Sequence, residues 1–158
     1  MDVTFRPWRP LPLVALVAAA LAGCGPGDGI SAEDYTIDGV VQLDVTFDGA
    51  DCVYDGPAEL PAGPAHLTFH NDGDAYGATN LVGLDEGYTI QDVIDDIGPE
   101  PGRSHHPEWT FEKGTYYPTA PGAVYEWDGK LEPGLYAIAC TYSEPLQVWF
   151  GAGLTVTD

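Results

Sequence analysis

Apolar and polar residues alternate along most of this chain in short runs, and turn residues interrupt them about every ten positions. Val41, Leu43, Val45 and Phe47 alternate with Gln42, Asp44 and Thr46, the period-2 signature of a half-buried strand that ends at Asp48-Gly49. Cys52-Val53-Tyr54 reads as a second short strand, closed by Asp55-Gly56-Pro57. After a Pro61-Ala62-Gly63-Pro64 turn, Ala65 to Asn71 places Leu67 and Phe69 on one face and His66, Thr68 and His70 on the other. Thr79–Leu84, Val124–Leu131, Leu135–Tyr142 and Val148–Val156 complete the strands, with Tyr136, Ile138 and Cys140 sharing a face. One segment has a different period. Thr89 can cap a helix over residues 89–97 whose Ile90, Val93, Ile94 and Ile97 form a single stripe, stopped by Gly98-Pro99. Glu100 to Pro121, rich in Pro, Gly and aromatics, reads as a long ordered loop of the kind that often carries function. Short strands at this spacing predict an all-β sandwich with one short inserted helix.

The N-terminus follows another logic. Arg6 and Arg9 precede an unbroken apolar run, Leu13–Ala22, too short to span a bilayer, and Leu21-Ala22-Gly23-Cys24 ends it. This layout resembles the signal and lipobox of bacterial lipoproteins. The resemblance implies cleavage of residues 1–23, fatty acylation (palmitate and related chains) at Cys24, and a flexible tether over 24–34 before a domain at 35–158. Two or more acyl chains hold a protein durably on a membrane, so the expected location is the extracytoplasmic face of a cell membrane, with the Cys24 lipid as the membrane contact. With Cys24 committed to lipid, Cys52 and Cys140 remain as a possible pair in an oxidising compartment, where a disulfide is the usual outcome. A metal-ligand role for Cys140 is the alternative.

Charge narrows the partners. The chain carries 25 acidic and 5 basic residues, a net charge of −20. After cleavage only Arg103, Lys113 and Lys130 remain as basic residues, against every acid except Asp2. Such a surface repels nucleic acid and anionic headgroups. The acids show no calcium-loop spacing and read as a solvated acidic surface.

The closing third resembles the end of a cupredoxin. Pro121-Gly122, then Leu131-Glu132-Pro133-Gly134-Leu135-Tyr136-Ala137-Ile138-Ala139-Cys140-Thr141, then Gly151-Ala152-Gly153-Leu154-Thr155-Val156 carry the likeness, and Leu67 to Gly73 is similar to the family's strand and Asn-x-Gly turn. The resemblance implies a Greek-key β-sandwich with Cys140 at the position of the copper-binding cysteine. Type 1 copper also needs two imidazoles, usually with a weak thioether. The Thr141–Phe150 loop contains neither His nor Met, Asp74–Leu84 contains no His, and the one methionine is Met1. The expected domain is therefore copper-free, without a cofactor and non-catalytic, acting as a binding or accessory module for an extracytoplasmic protein or small molecule. The alternative is a copper-binding or electron-transfer protein with an atypical metal site. His66 and His70 lie four strand residues apart, about 13 Å, too far to share one ion. His105, His106 and Glu108 are the candidates for a weak exposed Cu(II) or Zn(II) site. No spacing implies a catalytic triad, a glycosidase pair or a phosphate loop. Trp109 and Trp127 are expected to cover core, while Tyr142, Trp149 and Phe150 divide evenly between core and a recognition surface.

Overall fold

The computed structural model describes residues 31–97, 107–143 and 146–158. In chain order the elements are β1 (Thr36–Ile37), β2 (Val40–Phe47), β3 (Cys52–Asp55), β4 (Glu59–Pro61), β5 (Gly63–Asn71), β6 (Gly77–Leu84), α1 (Ile90–Ile97), β7 (Thr110–Glu112), β8 (Val124–Leu131), β9 (Gly134–Ser143) and β10 (Leu146–Thr157). They form an all-β sandwich with, among the described residues, one helix. The first sheet runs β1-β2-β5-β8, with β3 also paired to β2, and the second runs β4-β10-β9-β6-β7.

Alternation dictates which face of the first sheet is inward. Val41, Leu43, Val45 and Phe47 of β2, and Leu67 and Phe69 of β5, are all buried in the core, while Asp44, Glu126 and Asp128 face solvent. From the second sheet, Leu81, Tyr136, Ile138, Cys140 and Leu154 close the same core. β2 and β5 are parallel, in register from Val41↔Ala65 to Phe47↔Asn71. A parallel pair needs a crossover, and β3 and β4 lie in the connection between them.

The second sheet is covered on both sides, so every residue of β6 is buried. Its outer face carries Val82, Leu84 and Ala137, which pack with Val93, Ile90 and Ile97 of α1. The helix starts as a capping box. Thr89 Oγ1 accepts from Asp92 N (3.3 Å), and Asp92 Oδ2 accepts from Thr89 N (2.7 Å). Gly153 lets the helix sit close: a Cβ there would lie 2.8 Å from Ile90.

Three strands were not expected from the sequence: β1, β4 and β7. Each is two or three residues long, too short to show a period. β7 breaks the stretch 100–121 expected to be loop. Residues 31–34, the end of the expected tether, form successive turns with Tyr35, with Asp34 N donating to Ser31 O (3.0 Å) and Thr36 N to Glu33 O (3.2 Å). Beside them is a shallow cleft of about 590 Å³, lined by Ala32, Glu33, Thr36, Leu60, Pro61 and Thr157.

Candidate functional site

The end of the sandwich holding Cys140 is built where β3, β6, β9 and β10 meet, beside the ends of β2 and β5. β9 points Cys140 inward and pairs it with Thr79 of β6 on one side and Trp149 of β10 on the other. β3 brings Cys52 from the opposite sheet, and the two cysteines form a disulfide with a Cα–Cα distance of 5.6 Å. The bond joins the two sheets through the core. A register shift between Phe150 and Ala152 places Gly151 against it. A Cβ on Gly151 would meet Cys52 Sγ at 2.8 Å and two backbone oxygens at 3.3 Å, so the bulge makes room for the sulfur.

Aromatic rings close this end. Phe47 contacts Tyr142 and Trp149, each with ring centroids 4.9 Å away, and those two meet edge-on at 5.3 Å. Of the three aromatics left undecided by the sequence, Tyr142 and Trp149 are half-buried core lid, and Phe150 packs on the α1 side. Trp109 is half-buried beneath that side and stacks on Tyr88 (4.6 Å), and Trp127 packs against the main core, as expected.

Asn71 holds the adjacent turns. Its Nδ2 donates to Ala75 O and Thr119 O, both at 2.8 Å, and its Oδ1 accepts from Gly73 N (3.2 Å). The side chain is fully buried, and all three bonds run to backbone. The Asn-x-Gly turn is visible in the sequence, but its reach to Thr119, 48 residues on, is not. Asp48 accepts from Ala50 N and Asp51 N, both at 2.8 Å, and these backbone bonds hold its carboxyl below the ordinary range. The Tyr142 hydroxyl donates weakly to Asp74 Oδ1 (3.4 Å), and burial, followed by the charge of Asp74, raises its pKa.

The other candidates are spread out. Cys24, His105 and His106 lie outside the described residues, and Glu108 is an exposed turn residue before β7. His66 and His70 occupy the open face of the first sheet, each beside a carboxylate: His66 Nδ1 is 2.7 Å from Asp128, and His70 Nε2 is 3.5 Å from Asp44. Among the described residues no group of three or more His, Cys, Asp or Glu is placed to hold a metal. The donors around Cys140 do not fit type 1 copper. The sulfur is bonded to Cys52, and its strand neighbours offer a hydroxyl and an indole in place of imidazoles.

No protein-family profile matches the sequence, and no curated protein does. The fold is similar to that of solved structures. One is a dithionite-reduced auracyanin from the photosynthetic bacterium Roseiflexus castenholzii, at 19% identity and TM-score 0.45 over 82% of this chain and 100% of that one. Another is a multicopper oxidase, at 15% identity and TM-score 0.40, where 81% of this chain covers 50% of the other. At these identities the likeness concerns the fold alone.

Proposed function

We propose that this protein is a membrane-anchored, extracytoplasmic lipoprotein whose copper-free cupredoxin-like domain is a non-catalytic binding or accessory module. The observation that supports this reading is the state of Cys140. The residue that the sequence resemblance puts at the copper thiolate is bonded to Cys52 and packed under Phe47, Tyr142 and Trp149. A sulfur held in this way serves the stability of the sandwich and gives no thiolate to a metal. Rigid strand pairing leaves the turns, edges and open sheet face as binding surface.

Two experiments test the proposal. Cu(II) added to the protein, oxidised and then reduced, should give no intense visible thiolate-to-copper band; such a band would establish the electron-transfer reading instead. Cys24→Ser should release the protein from the membrane fraction, and unchanged retention would rule out the lipid anchor.

A further inference from the structure

β8 forms one side of the first sheet, with β5 on its inner flank. Among the described residues, no backbone hydrogen bond reaches β8 from its outer flank. The strand is eight residues long, with no proline and no bulge. Asn71 N donates to Ala123 O at 3.1 Å, which sets the phase of the β5–β8 ladder. By antiparallel alternation, the N–H and C=O groups of Val124, Glu126, Asp128 and Lys130 then point away from β5. Natural edges are usually blunted by proline, bulges or lysines. Here the one lysine, Lys130, is at the far end, and its ammonium is turned to Glu132 (2.9 Å).

The side chains flanking this edge differ sharply by face. On the open face, Glu126 and Asp128 are exposed, and Asp128 is 88% so. Glu126 continues a cross-strand row with Thr68, Asp44 and Asp55, in which Asp44 and Asp55 are directly opposed. Asp44 lies 3.5 Å from His70 Nε2 and Asp55 accepts from the Tyr35 hydroxyl (3.0 Å), so the end of the row open to an added cation is Glu126 on β8. On the seam side, Tyr125 and Trp127 are half-buried, and Tyr117, 58% exposed, stacks on Tyr125 with centroids 5.0 Å apart.

We propose that β8 accepts an added strand from a partner protein: an extended segment with Lys or Arg at every second position and apolar side chains between. Main-chain hydrogen bonds to the outward groups of Glu126 and Asp128 supply pairing. Cations lie beside the two carboxylates, and apolar residues lie along Tyr125 and Trp127. A second copy is the poorer occupant. Two-fold pairing that sets Glu126 against Lys130 brings Asp128 against Asp128, between two chains of charge −20.

The proposal rests on the reading of the protein as a binding module. The probe is the peptide acetyl-(Lys-Val)4-amide, with the same peptide N-methylated at every backbone nitrogen as an equal-charge control that has no N–H to pair. At physiological salt, (Lys-Val)4 should slow hydrogen exchange of the Glu126 and Asp128 amides and should bind ~10-fold more tightly than the control. Glu126→Gln with Asp128→Asn should weaken it by a similar factor, while the equal charge change Glu86→Gln with Asp95→Asn should leave it within about twofold. Equal binding of the two peptides, or no protection on β8, overturns the strand-addition proposal. So does protection of β8 without peptide in a concentration-dependent dimer, which would assign the edge to a second copy. A negative result here with no copper band leaves the copper-free reading standing.

Discussion

Asn71 shows how much one side chain can organise. It ties the β5–β6 turn to the segment before β8, and removing it takes away the side-chain partner of the half-buried Ala75 carbonyl and one of two partners each of Thr119 O, which also accepts from Gly77 N, and Gly73 N, which also donates to Phe47 O. Asn71→Ala should therefore cost about 1–3 kcal/mol, read as a lower urea midpoint, whereas Asp72→Ala at an exposed position should cost little. Two tyrosines add a pH dependence. Burial, then the charges of Tyr35 and Asp55, pushes the Tyr54 hydroxyl well above the ordinary tyrosine value, and Tyr142 is raised by burial and Asp74. Their neutral forms are favoured in the fold, so their contribution is complete below about pH 10 and is lost as pH rises further and the unfolded chain ionises first. The urea midpoint should fall as pH rises above about 10, and Tyr54→Phe should flatten that fall. The cysteine pair was legible in the sequence because only two thiols remain once Cys24 is set aside as the expected lipidation site. Gly151 and Phe47 were not, because their roles depend on a bulge and on contacts between sheets.

At the scale of elements, legibility followed length. β2, β5, β6, β8, β9 and β10 each run for eight residues or more and show their alternation or apolar character plainly. β3 is only four residues, but its apolar start and turn residues gave it away. β1, β4 and β7 are made by pairing: Glu59–Pro61 becomes a strand because β10 runs alongside it in parallel. The helix was found through its isoleucine-valine stripe, but the surface it covers was hidden, because Gly153 matters only once β10 lies under Ile90. Gly153→Val should lift α1 and destabilise the domain by about 1–3 kcal/mol, with part of the loss recovered when Ile90→Ala is added. Additive losses in thermal melts of the two variants would show that the helix does not seat on that glycine.

For the whole molecule, two forces oppose each other: one covalent link between the sheets and a large excess of like charge. Cys52 and Cys140 are 88 residues apart in sequence. Closing such a loop in the unfolded chain is worth ~4–5 kcal/mol in the chain-entropy view, so the double Cys→Ala variant should melt on the order of 10 °C lower. Charge repulsion works against the fold at low salt, where screening reaches only over long distances. Raising NaCl from 10 mM to 0.5 M should therefore raise the melting temperature, and a fall would mean that the surface ion pairs outweigh the repulsion. The cleft beside the first turns has a further consequence. Ala32 and Thr157 line it together, at the end of the strands opposite Asn71 and Tyr142. Both ends of the described domain thus leave from one pole, like the two legs of a staple. Holding the domain at Ala32 or at Thr157 orients it the same way and leaves the far pole facing outward, and the domain can be spliced into a loop of a host protein with these two ends already side by side.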